Sequence, residues 1–146
     1  MLKGIVLSVL GFSMLLVSAG ETPHRGPDLA EAAPPGARLL FQRYLGGGSN
    51  DLGGGTLFVY TSGESFKDVV GHYRKLYSAV GIRVSEFEDS ALFGTADRSL
   101  CFVLVRWGDG LTDLMARPLM TGDEVRAADG SSGSYSVLTE DTCSSG

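Results

Sequence analysis

SFKDVVGHYRKLYSAVG, residues Ser65 to Gly81, decides the fold. Phe66, Val69, Val70, Tyr73, Leu76, Tyr77 and Val80 recur at helical spacing and fall within a stripe roughly 120° wide, which predicts an amphipathic helix with one buried face. Ser65 is placed to cap its N-terminus, with Asp68 at the third helical position as a variant of the capping box. That carboxylate also puts negative charge near the positive dipole end. Gly81 supplies a left-handed stop. Gly71 lies opposite the stripe, where glycine costs up to ~1 kcal/mol relative to alanine.

Such a stripe needs a partner surface, and the flanking sequence offers strands. Arg38 to Leu45 reads as an extended segment with Leu39 and Phe41 on one side and Leu40 and Tyr44 on the other, a short helix being the competitor. The glycine-rich stretch Gly46 to Gly55 separates it from the apolar run Thr56 to Tyr60. After Gly81, Ile82 to Phe87 alternates, and a break at Glu88-Asp89 leads into Ala91-Leu92-Phe93. Leu100 to Trp107 is apolar on both faces, the pattern of a central strand covered on each side. Asp109-Gly110 is a two-residue hairpin signal, so Leu111 to Ala116 is expected to return as a strand that Pro118 ends. Beyond Thr121 the chain is polar and Ser/Gly-rich, with one strand-like piece at Tyr135 to Leu138. The expected order is β-β-α-β-β-β, an α+β fold with an antiparallel-rich sheet and one helix packed on a face.

The first 20 residues, MLKGIVLSVLGFSMLLVSAG, read as a secretory signal peptide: one cation at Lys3, an apolar run, and small residues at Val17-Ser18-Ala19. An uncleaved anchor is the rival, but the run falls short of the roughly 20 apolar residues that span a bilayer. Residues 21–36 form a Pro/Ala-rich spacer, 37–121 the domain, and 122–146 a Ser/Gly-rich tail. With 12 Lys+Arg against 17 Asp+Glu, the chain carries a net charge of −5. It has no run of cations, which argues against a nucleic-acid or anionic-lipid surface. Its 21 glycines are about twice the average share of ~7% and sit in a few loops.

An even number of cysteines in an exported chain makes a Cys101–Cys143 disulfide the expectation. Closing a loop of about 40 residues contributes about 4 kcal/mol in the chain-entropy model. The alternative places Cys101 as a small buried hydrophobe and Cys143 in the tail.

Pro35-Gly36-Ala37-Arg38-Leu39, then Tyr60-Thr61-Ser62 with Ser65, Val69, Val70, Tyr73 and Leu76, then Gly81, resembles the pattern of small exported bacterial domains and lipoproteins of unknown function. The likeness covers about 50 residues. It departs in lacking a lipoprotein cysteine and in its glycine-rich loop. It implies the fold and export, and brings no catalytic residue with it.

Few residues carry chemistry. GGGSNDLGGG, residues 46–55, invites a phosphate-loop reading, yet it lacks the Gly-Lys-Ser/Thr ending and leads into a strand rather than a helix N-terminus. His72 lies one turn after Asp68, a spacing at which a carboxylate can orient an imidazole for general-base work, although exposed pairs of this kind are common. Asp109, Asp113, Asp123 and Glu124 are oxygen ligands available to calcium, but at a spacing that matches no known loop. Tyr44, Trp107 and Tyr135 are the aromatics least accounted for by the helix, and such residues anchor partners or pack in a core. No cofactor is implied. The expectation is an exported, periplasmic or extracellular, non-catalytic domain that binds an envelope protein or a small ligand. The rivals are a small hydrolase with a spatially assembled site and a homodimeric assembly protein.

Overall fold

The computed structural model describes residues 32–45, 55–108 and 110–140. The expected signal peptide, the loop at 46–54, Asp109 and Cys143 lie outside the described residues. Strand β1 (Arg38–Leu45) pairs with β2 (Gly55–Thr61), and helix α1 (Phe66–Leu76) follows. A 3-10 turn, Ser78–Val80, leads to Gly81 at φ 72, the left-handed stop expected there. Strands β3 (Arg83–Glu86), β4 (Ser90–Gly94) and β5 (Cys101–Arg106) form a meander. Helices α2 (Leu111–Ala116) and α3 (Gly122–Asp129) precede β6 (Tyr135–Thr139). The sheet is antiparallel throughout, in the order β1-β2-β6-β5-β4-β3, and the class is α+β as expected.

Each face has its own core because side chains alternate along every strand. Phe58, Tyr60, Phe93, Phe102, Leu104, Tyr135 and Val137 meet the α1 stripe at Val69, Val70, Tyr73 and Tyr77. The Ser65 hydroxyl accepts from Asp68 N at 3.2 Å, so α1 begins as its sequence predicts. On the opposite face Leu57 and Val59 pack under Ala116, Met120 and Ala128, with Met115 and Val125 at the margin. Helices therefore cover both faces, not the single face expected.

Four expectations are corrected. Leu111 to Ala116 is a helix: Gly110, at φ −83, is its N-cap rather than a positive-φ hairpin residue, and Thr112, Asp113 and Ala116 turn inward at helical spacing. Leu, Met and Ala are good helix formers, and Thr112 is the only β-branched residue in the segment. The second correction concerns the supposed tail. Residues 122–139 hold α3, started by a full capping box between Thr121 and Glu124, and β6, which lies between β2 and β5. Third, the expected spacer is part of the domain by Ala32, which is buried in the first core and whose carbonyl meets His72 Nε2 at 2.8 Å. Fourth, the register of β1 shifts between Leu39 and Phe41, so Phe41 joins Leu40 on the second face instead of siding with Leu39.

Strand β5 is interior, but its second face is only half covered. Phe102 and Leu104 are buried, Val103 and Val105 are partly open, and their neighbour Leu92 is 51% exposed.

Candidate functional site

Where β5 ends, the chain turns through Gly108 and Gly110 into α2, and the loop between α3 and β6 passes beside it. Between them opens a cleft of about 650 Å³ whose lining includes Asp89, Arg106, Trp107, Asp129, Ser131 and Ser132. A volume of that size suits a small ligand.

Trp107 is held on two sides. Its indole Nε1 donates to Asp129 Oδ1 at 2.8 Å, and the Arg117 guanidinium lies 4.9 Å from the ring centroid, in cation–π range. Arg117 grips Asp129 with two bonds, Nη1 to Oδ2 at 3.1 Å and Nη2 to Oδ1 at 2.6 Å, the fork geometry that suits guanidinium and carboxylate. The Arg117 bonds, followed by the Trp107 bond, hold the Asp129 carboxyl below its ordinary pKa, while Asp129 raises that of Arg117.

Beneath this triad Asp113 is almost wholly buried. Its Oδ2 accepts from Gly108 N at 2.9 Å and lies 3.6 Å from Arg117 Nη2, tying α2 to the turn. Across the cleft Arg106 pairs with Asp89, and Arg106 N donates to the Asp89 carbonyl at 2.8 Å. Each charge on the wall thus meets its opposite, so the cleft presents hydrogen-bonding groups with little net charge.

The α3–β6 loop is fixed by close packing. Trp107 N donates to the Ser134 carbonyl at 3.0 Å, Ser134 Oγ donates to the Ala128 carbonyl at 2.8 Å, and Ser131 Oγ lies 3.4 Å from the Ser62 carbonyl. Ser136 Oγ donates to Thr112 Oγ1 at 2.8 Å, joining β6 to α2.

Of the residues singled out in the sequence, Trp107 lines the cleft and Asp113 supports it. Tyr135 does not reach a surface: it stacks on Tyr60 with centroids 5.2 Å apart, and its hydroxyl lies 3.3 Å from that of Tyr73. Tyr44 is exposed on β1, far along the sheet order from β5. His72 is engaged with the Ala32 carbonyl and stands edge-on to Tyr73, while Asp68 sits at the capped first turn of α1. The pair thus serves the helix and the segment that packs on it. Asp123 pairs with Arg126, and Glu124 completes the capping box, so among the described calcium candidates Asp113 is the one beside Trp107, where it is bonded to Gly108 N. Among the described residues no three His, Cys, Asp or Glu side chains gather to hold a metal ion, and no helix is long and apolar enough to cross a membrane.

Arg117, Asp129, Ser131 and Ser132 were missed. The Thr121-x-x-Glu124 box was the available signal, since it predicts a helix whose end carries Asp129.

A smaller apolar hollow, of about 230 Å³, lies on the half-covered sheet face between Leu92, Cys101, Val103 and Leu138, with Glu140 at its rim. Cys101 Sγ is 3.4 Å from Glu140 Oε2, and Glu140 N donates to the Cys101 carbonyl at 3.3 Å. No protein-family model, characterised protein or solved structure matches this chain.

Proposed function

We propose that this is an exported, non-catalytic binding domain that holds a small polar ligand in the cleft beside Trp107. The observation that carries the reading is the braced tryptophan: Asp129 and Arg117 fix its ring before any ligand arrives, so ordering costs less on binding. An aromatic wall among balanced hydrogen-bonding groups suits a ligand with both an apolar face and polar edges. Export rests on the leader-like first 20 residues. A Cys101–Cys143 bridge belongs to the same reading, because Glu140, three residues before Cys143 in sequence, is hydrogen-bonded to Cys101.

Trp107 is the chain's only tryptophan, so its emission reports on the cleft directly. The test is a titration with a panel of monosaccharides, free amino acids and dipeptides. A saturable emission change that Asp129→Asn weakens at least tenfold supports the proposal. Binding that persists unchanged in Asp129→Asn by emission and in Trp107→Phe by titration calorimetry, or turnover of the bound compound, overturns it.

A second reading, a homodimer, is favoured by the half-covered face of β5 and β4. Arg83 and Arg98 border one side of the apolar strip around Leu92 and Cys101, and Glu140 borders the other. A twofold copy would set each cationic flank against an acidic one. Light scattering at high protein concentration decides it: a monomer removes this reading, and a dimer broken by Leu92→Lys supports it.

A further inference from the structure

A second cleft, of about 430 Å³, opens on the other side of the α3–β6 loop, among the start of β1, the β2–α1 turn and α3. We infer that it is a binding site for an oxyanion, a phosphate or carboxylate group, held by Arg38 and Arg126. The inference stands apart from the Trp107 reading, since the linings of the two clefts share only Ser131.

Charge is the first argument. The protein has a net charge of −5, yet this lining includes two arginines and no acidic residue, the Arg126 guanidinium resting beside Gly122 and Asp123. Arg38 comes from β1 and Arg126 from α3, elements remote in sequence, so their meeting is a property of the fold. No carboxylate pairs with Arg38 among the described residues. Arg126 pairs with Asp123, whose side chain is 92% exposed, and a bond so open to water is readily exchanged for a ligand. In the neighbouring Trp107 cleft, by contrast, Arg106 in the wall pairs with Asp89 and Arg117 behind it with Asp129, so no arginine there lacks a carboxylate partner as Arg38 does.

The polar lining between the cations is the second argument. Thr61, Ser62 and Ser131 supply hydroxyls, and Gly36, Gly63 and Gly130 leave backbone accessible to a close-approaching ligand. Guanidinium forks together with hydroxyl donors are the usual means of holding planar or tetrahedral oxyanions. Two arginines are too few for the extended contact a nucleic-acid backbone requires.

Rigidity is the third. The wall formed by Ser62 is pressed against Gly133, where even a Cβ would be 2.0 Å from the Ser62 carbonyl oxygen. The hydroxyls therefore have a fixed backbone beneath them, and little order remains to be imposed by a ligand.

The experiment uses the purified protein at low ionic strength, titrated with inorganic phosphate and separately with succinate, with sodium chloride as the ionic-strength control. Saturable shifts of the Gly63, Gly130 and Ser131 amide resonances are expected for at least one anion. Phosphate alone identifies a phosphoryl ligand, succinate alone a carboxylate, and both a general oxyanion site. Arg38→Gln should weaken binding at least tenfold and Arg126→Gln several-fold, while Arg43→Gln, elsewhere on β1, should bind as the parent does. Linear shifts matching those in chloride, or parent-like binding by both Arg38→Gln and Arg126→Gln, overturn the inference.

Discussion

Gly133 lies so near Ser62 that a Cβ built on it would be 2.0 Å from the Ser62 carbonyl oxygen and 2.6 Å from that of Glu64. Both contacts are to backbone, so no side chain can swing away to make room. Gly133→Ala must push apart the α3–β6 loop and the β2–α1 turn, a form of overpacking that costs about 1–3 kcal/mol. Urea denaturation should show the loss. The same substitution should alter Trp107 emission, because Trp107 N is bonded to the Ser134 carbonyl in the displaced loop. An unchanged midpoint with unchanged emission would show that the two backbones are not in this contact.

Gly71 predicts the opposite sign. It is exposed on α1, and a Cβ there meets nothing within 4 Å. Gly71→Ala should therefore raise stability by up to about 1 kcal/mol through helix propensity and reduced freedom of the unfolded chain. A stability decrease in the same urea experiment would contradict the open space around Gly71.

The contrast between these glycines also marks what sequence could reveal. The α1 stripe is long enough for a periodicity of 3.6 to be unmistakable, and its cap and stop are local chemistry, so Ser65 to Gly81 was legible. Leu111 to Ala116 is too short for its period to outweigh the Asp109-Gly110 signal. Tyr135 to Leu138 reads as strand-like, but its place inside the sheet is hidden because Ser134 and Ser136 are hydrophilic by composition and the surrounding chain reads as a polar tail. In the fold both are buried, satisfied by the Ala128 carbonyl and Thr112 Oγ1, partners supplied by helices that the sequence reading did not recognise. The cleft was legible only at Trp107. Its other principal members, Arg117 just after α2 and Asp129 at the end of α3, meet only in the tertiary structure, and that leaves no local pattern.

Alkaline pH should unfold the protein through its buried tyrosines. Burial, more than any neighbour, raises the pKa of Tyr73 and Tyr135 well above the ordinary value. In the unfolded chain both ionise near pH 10. A folded-state pKa raised above the unfolded one gives stability that is intact below pH 10 and lost as pH rises beyond it. Urea midpoints measured from pH 8 to 11 should fall above about pH 10, and Tyr73→Phe should fall less steeply because one ionisation has been removed. That variant should also lose about 1 kcal/mol at neutral pH, with the Tyr135 hydroxyl left short of its partner. Equal slopes for the two proteins would contradict the assignment.

At the acid end Asp129 sets the behaviour of the cleft. Its carboxyl is held below the usual range chiefly by Arg117, so its contribution is present above about pH 4 and disappears as pH falls through the depressed value. Protonation weakens its grip on both Arg117 and the Trp107 indole. Trp107 emission should therefore titrate in this acid range while far-ultraviolet dichroism holds steady, and Asp129→Asn should remove the transition. An identical acid transition in that variant would assign it to another carboxylate.

Because Glu140 N is bonded to the Cys101 carbonyl, the chain leaves β6 alongside Cys101 with three residues to go before Cys143. A disulfide there closes a loop that contains α2, α3 and β6, so it restricts the unfolded chain across the segment that completes the sheet. Alkylation and mass spectrometry of the oxidised protein should find no reactive thiol. Reduction should lower stability by up to about 4 kcal/mol, and Cys143→Ser should reproduce that loss without further change on adding reductant. Two alkylatable thiols in the native, air-oxidised protein would leave Cys101 as a partly covered apolar residue beside Val103, and β6 would then be held by its ladder hydrogen bonds and by the Thr139 hydroxyl, which accepts from Thr56 N at 2.9 Å.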